Sequence, residues 1–278
     1  MKLGVALAGG GMRGIAHAGF LKALEENEIE IDYVGGTSSG SHIAFLISIG
    51  FSSTEIYDLF NKEAMNLIGK NSNSIVLNSF LFNKKLKLDG LRSGKPIEDI
   101  YNRIANERGI KYIKDIKKPL LITATNIVDE KEYIFTSKPP ENTEKYITNI
   151  EIGKAIRASS SFSVVFDPCK YEDKIFLDGG ILDNVPVDEV RKMGAEKVIA
   201  VKFNSDKVHS NSNIMDIAMK TVDMMGNKIS EINLKNSDLV ITIDTDGTGL
   251  LDVENAEYCF NSGYKAGVEN IKKILEII

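Results

Sequence analysis

The chain has 278 residues, 43% hydrophobic and 26% charged, which suits one large globular domain and excludes a disordered, fibrous or disulfide-built protein. A formal net charge of −5 gives no basic footprint for nucleic acid. Cys169 and Cys259 stand far apart without CxxC or zinc-ligand spacing, which predicts buried free thiols in a reducing compartment and no metal.

The first apolar run is too short for a signal peptide, and no stretch approaches the ~20 apolar residues of a membrane span, so the expectation is a soluble, cytoplasmic protein. Residues 3–8 read as a buried strand, the glycines at 9–11 as a turn, and 14–27 as a helix with Ile15, Phe20, Leu21 and Leu24 on one side. A second strand over 31–34 leads into a glycine- and serine-rich turn and a helix over 39–49. Strand, turn, helix, strand, turn, helix opens a parallel α/β sheet, with both turns at the carboxyl ends of strands where such sheets bind ligands.

The segment 52–118 reads as a mostly helical insertion or cap over that edge, within a single domain spanning 1–278. Its apolar run 75–82, followed by Lys84, Lys85 and Lys87, can either pack on the domain or touch a lipid surface peripherally. Strands are expected at 119–126, with 132–135 as hairpin partner, and at 174–177, 197–203 and 238–243. Helices are expected at 151–158, 186–193 and 255–276.

Gly36-Thr37-Ser38-Ser39-Gly40 spells GxSxG directly after the second strand. Small residues two before and two after the serine allow the sharp strand-to-helix turn of a nucleophile elbow, which makes Ser38 the candidate nucleophile; the alternative is a plain helix cap. On the preceding turn, Gly9, Gly10, Gly11, Met12, Arg13 and Gly14 can converge backbone N–H groups at a helix N-terminus, a nest for a phosphate or an oxyanion. The same residues satisfy GxGxxG, but a dinucleotide site wants an acidic residue at the end of the second strand, and Asp32 stands before the apolar Tyr33-Val34 instead of after the strand.

In Phe176-Leu177-Asp178-Gly179-Gly180, an aspartate at a strand end precedes two glycines that can pack tightly against another loop. The chain's histidines are His17, His42 and His209. His17 and His42 lie on the first two helices and read as packing residues. Ser38, Asp178 and His209 stand in the chain order of an α/β-hydrolase triad, but that fold places several strands ahead of its elbow. A dyad in which Asp178 contacts Ser38 directly is the favoured reading, the triad the alternative.

Together, Gly9-Gly10-Gly11-Met12-Arg13-Gly14, Gly36-Thr37-Ser38-Ser39-Gly40 and Asp178-Gly179-Gly180 closely resemble the patatin-like phospholipase family. The likeness extends to Ile15–Leu21, Ala155–Ser161 and Asp183–Pro186. It implies a three-layer α/β/α sandwich with a mainly parallel sheet, and hydrolysis of lipid or simple ester substrates by a Ser38–Asp178 dyad, with no metal, cofactor or catalytic histidine. It further implies Gly10, Gly11 and Met12 as oxyanion donors, with Gly9 and Gly14 shaping the loop. Arg13 either supports the hole, meets a lipid phosphate or braces the loop. Ser163 and Asp167 stand where the family usually has proline, so the nearby pocket wall should differ. The rival class is a non-catalytic lipid- or nucleotide-binding protein on the same scaffold.

Overall fold

Leu3–Leu7 (β1) is an unbroken apolar run with all five residues buried, as expected of a strand covered on both faces. A computed structural model describes residues 1–68, 92–141, 143–163, 165–204, 214–245, 248 and 254–278. In it, β1 is flanked by Tyr33–Gly36 (β2) and Lys197–Phe203 (β8), both parallel to it, with Leu239–Ile243 (β9) parallel beyond β8. On the other side of β2 come Leu120–Asn126 (β3, parallel), Lys131–Thr136 (β4, antiparallel) and the short Tyr146–Ile147 (β5). Cys169–Tyr171 (β6) and Lys174–Asp178 (β7) pair with each other, and β7 also pairs with β3.

The described helices are Ile15–Glu25 (α1), Ser39–Ser48 (α2), Ser53–Ile68 (α3), Lys95–Glu107 (α4), Ile152–Ser159 (α5), Val187–Lys192 (α6), Ile214–Leu234 (α7) and Ala256–Ile277 (α8). They flank the sheet to give the three-layer α/β/α architecture. Both cysteines are buried thiols. The expected insertion contains α3 and α4; its apolar run and lysines at 75–87 lie outside the described residues. Among those described, no helix is long and apolar enough to cross a membrane.

The expected hairpin of β3 and β4 forms. Two features depart from the sequence reading. The strand expected over 174–177 becomes β7, which pairs antiparallel with both β3 and β6. Helix α7 was not expected, because its Ile217, Met224, Met225, Ile229 and Ile232 are all exposed, and apolar residues facing solvent erase the in-out rhythm that marks a helix.

Helix α1 is also buried well beyond the single expected face, from Ile15 through Leu21 and again at Ala23 and Leu24. Helix α8 covers its outer side at backbone contact: a Cβ on Gly263 would drive into the Ala16 carbonyl, and one on Gly19 into the Phe260 carbonyl. Gly263→Ala is therefore expected to destabilise by about 1–3 kcal/mol through overpacking, seen as a lower urea midpoint at unchanged slope. A change below about 0.5 kcal/mol would show that the helices separate freely.

Candidate active site

The site follows from how β3 is shared. Strand β4 pairs with β3 from Leu121 to Asn126 and fills one flank. On the opposite flank β2 pairs only as far as Gly36 opposite Ile122, and β7, running the other way, takes over from Asn126 down to Ala124 opposite Asp178. The carboxyl ends of β2 and β7 therefore meet head-on at Thr123, which places Ser38 and Asp178, distant in sequence, at one junction. Thr37 Oγ1 lies 2.7 Å from Thr123 Oγ1 and donates to the Asp183 carbonyl at 2.9 Å, while Gly179 packs against Thr123.

Ser38 occupies a true elbow. Its φ of 51° and ψ of −124° lie where side-chain-bearing residues rarely go, a strain of about 1–3 kcal/mol that the surroundings must hold. The flanking glycines are there for space: a Cβ on Gly36 would meet the Gly40 carbonyl, and one on Gly40 the Leu7 carbonyl. Helix α2 begins at the next residue, and Ser41 Oγ donates to the Ser38 carbonyl at 2.6 Å. Ser38 itself is half-buried.

Asp178 is 3% exposed. Burial pushes its carboxyl up to about 6; hydrogen bonding from the Ser38 hydroxyl and the Gly180 N–H pulls it partly back. Oδ1 accepts from Gly180 N–H at 2.8 Å, whereas Oδ2 has no partner of ordinary length and angle among the described residues. The serine hydroxyl is thus near enough to favour the charged carboxylate without closing a standard bond to it. A dry carboxylate with one free oxygen beside a strained serine is suited to accept a proton.

The glycine loop wraps over this pair. Gly9 donates to Asn184 Oδ1 at 3.0 Å, Asn184 Nδ2 lies 3.4 Å from the Gly9 carbonyl, and Asn184 N–H donates to Ser230 Oγ at 2.8 Å. Gly10 N–H donates to Ser39 Oγ at 3.0 Å. Gly11, with φ of 59°, and Met12 are half-buried, and among the described residues their amides donate to no group outside the turn. Gly14 abuts Ser39. Arg13 is 1% exposed: Nε donates to the Gly10 carbonyl at 3.1 Å, Nη1 to the Asn204 carbonyl at 3.3 Å, and the guanidinium lies over Phe203. These contacts brace the loop.

The histidines near the site are committed elsewhere. His17 Nε2 bonds the Ala8 carbonyl at 2.8 Å, and burial lowers its pKa to about 4 although that bond opposes the shift. His42 Nδ1 bonds Tyr101 Oη at 2.9 Å and Nε2 bonds Ser160 Oγ at 2.8 Å; burial lowers it to about 4 as well. Both rings are neutral at pH 7. His209 lies outside the described residues. Asp32 accepts from Leu3 N–H at 2.8 Å, joining the start of β1 to β2 and standing away from any ribose position at the carboxyl edge. Among the described residues no cluster of His, Cys, Asp and Glu could hold a metal ion.

Asp167, standing in place of an expected proline, accepts from Gly94 N–H at 2.9 Å and Arg157 Nη2 at 3.3 Å, tying this wall to the start of α4. Sequence reasoning assigned no site role to Thr37, Thr123, Ser159, Ser161 or Asn184. All but Thr123 carried a signal: Thr37 stands inside the elbow motif, and Ser159, Ser161 and Asn184 lie in segments that share the family likeness.

Residues 5–191 match the family model described as patatin-like phospholipase. The chain is 32% identical over 203 residues to lysophospholipase NTE1 of Meyerozyma guilliermondii, covering 73% of this chain and 13% of that protein. For lysophospholipase NTE1 of Yarrowia lipolytica the identity is 33% over 204 residues, with the same two coverages of 73% and 13%. The chain thus spans only a small part of the length of these curated relatives. In fold it is similar to VipD from Legionella pneumophila, with TM-score 0.58 and 15% identity, covering 98% of this chain and 67% of that one. It is also similar to ExoU of Pseudomonas aeruginosa in its complex with SpcU, with TM-score 0.52 and 18% identity, covering 99% and 52%. The glycine loop, the elbow and Asp178-Gly179-Gly180 all fall inside the matched residues, and the chain belongs to the patatin-like phospholipase family.

Proposed function

We propose that the protein is a serine-dependent lipid acyl hydrolase of phospholipase A or lysophospholipase type, working through a Ser38–Asp178 dyad. The observation that carries this reading is the head-on meeting of β2 and β7, which sets a strained, half-buried serine beside a buried aspartate with one oxygen that has no standard hydrogen bond among the described residues. Ser38 Oγ attacks the ester carbonyl carbon while Asp178 takes its proton. The resulting oxyanion lies toward the glycine loop, where Gly11 and Met12 offer free amides and Gly10 could join them only by giving up Ser39 Oγ. Collapse expels the alcohol, which leaves with the proton from Asp178, and water, activated by the same carboxylate, releases the acyl group from Ser38.

The relatives' names support a lysophospholipid substrate, and the family's description a phospholipid. Access is proposed to be peripheral, at a lipid surface.

The reading is tested with a fluorophosphonate, which should add to Ser38, as found by peptide mass analysis, and abolish hydrolysis of a chromogenic medium-chain ester in proportion. Labelling at another residue, or full activity after stoichiometric labelling of Ser38, would refute it. His209→Asn, run alongside, is expected to stay within a few-fold of the parent rate; a loss of several decades would replace the dyad with a triad.

A further inference from the structure

The end of α5 carries three serines in a row, and each grips a different part of the site. Ser159 is fully buried, and its Oγ accepts the Ser38 N–H at 2.9 Å. Ser160 Oγ bonds His42 Nε2 at 2.8 Å, and the other nitrogen of that ring bonds Tyr101 on α4 at 2.9 Å. The Ser161 carbonyl accepts the Asp178 N–H at 3.0 Å, and Ser161 Oγ donates back to the Arg157 carbonyl at 2.9 Å. One helix end thus holds the backbone of both Ser38 and Asp178, and a side chain one turn into α2.

We propose that Ser159-Ser160-Ser161 is a positioning bridge that sets the separation of Ser38 and Asp178, with the Ser159 hydroxyl as its decisive contact. Ser38 sits at a positive φ where its N–H cannot join α2, and in a buried elbow an unpaired N–H is unfavourable. Ser159 Oγ satisfies that donor and so opposes relaxation of the elbow. Because Ser161 is fixed two residues further along the same chain and holds Asp178, the nucleophile and the base are referred to one rigid element. They do not depend on two loops that move separately. His42, neutral and held at both nitrogens, keeps α2 in register with the same helix end. Its function here is to anchor, which accounts for a histidine one helical turn from Ser38 that does not face it.

This inference rests on Ser38 being the nucleophile, so the experiment separates the two. Ester hydrolysis and the fluorophosphonate inactivation rate are measured for Ser38→Ala, Ser159→Ala, Ser159→Thr and Ser160→Ala. Ser159→Ala is expected to lower kcat and the inactivation rate together by roughly 10- to 100-fold, the effect of a sub-ångström to 1 Å misplacement, with KM within about twofold. Ser159→Thr keeps the acceptor and is expected to recover most of the loss. Ser160→Ala, which frees only the His42 contact, is expected to lower the inactivation rate by about 3- to 10-fold.

A Ser159→Ala enzyme with kcat within twofold of the parent, while Ser38→Ala is inactive, would overturn the bridge and leave the nucleophile standing. A loss in Ser159→Ala that Ser159→Thr does not recover would likewise overturn it, by reducing Ser159 to a packing residue. If Ser159→Ala does not fold, an unchanged inactivation rate in Ser160→Ala refutes the bridge. Activity retained in Ser38→Ala would defeat the underlying reading itself.

Discussion

Ser38→Ala is expected to reduce hydrolysis of a medium-chain ester by at least about 10³-fold, with the protein folded and KM little changed where it can be measured. The step lost is formation of the acyl bond to Ser38 Oγ. Ser38→Gly gives a second readout. The serine stands at φ 51°, and glycine populates that region freely, so Ser38→Gly should be as inactive as Ser38→Ala yet about 1 kcal/mol more stable. A gain of stability of the glycine over the alanine variant would mark the elbow as strained for a residue with a side chain. Equal stability in both variants would mean that the backbone, not the residue type, sets its conformation without strain.

The second large effect concerns Asp178. Asp178→Asn is expected to lower kcat/KM by roughly 10²–10⁴-fold, the usual contribution of a positioned base. In the parent enzyme the base must be ionised, and burial pushes its carboxyl up to about 6, so kcat/KM should fall about tenfold per pH unit below 6 and level off above it. That acid limb should vanish in Asp178→Asn; an unchanged limb would assign the titration to another group.

The stability effect has the opposite sign. With a folded-state value of about 6 against 3.8 for an ordinary aspartate, the native state binds the proton more tightly than the unfolded chain. The buried charge therefore destabilises the protein fully above pH 6, and the penalty is relieved as pH falls from 6 to 4. It amounts to about 3 kcal/mol at most. Asp178→Asn, whose amide oxygen can still accept from Gly180, should thus be more stable than the parent at pH 8 and indistinguishable from it near pH 4. Urea unfolding at the two pH values measures this, and a parent protein equally stable relative to the variant at both would refute a raised carboxyl.

Much of the fold was legible because its signals are local. An apolar β-branched run gives β8 over 197–203, and Pro119 to Asn126 gives β3, since such residues suit strands buried on both faces. The glycines around Ser38 were readable for the same reason: a sharp turn from strand to helix needs small residues at fixed spacing, whatever the rest of the chain does. Helix α7 was not legible, because Met224, Met225 and Ile232 face solvent and obscure its core-facing side. The hairpin of β3 and β4 was legible, but the antiparallel pairing of β7 was not, because strand direction depends on which neighbour a strand pairs with, and β7 carries no mark of pairing with β3.

The sequence by itself determined the residue types of the chemistry: a serine in an elbow, a glycine loop ahead of it, and an aspartate followed by two glycines. Tertiary structure alone decided how they meet. β2 and β7 share one flank of β3 and end face to face, an arrangement of long-range pairing that no local pattern records. It also decided that Asp178 is dry enough to hold a proton near pH 6, since burial depends on what packs around a group and not on its neighbours in the chain. The same holds for Ser159: the sequence marks only the helix end that carries it, and its contact with Ser38, 2.9 Å from the amide, exists only in the folded chain.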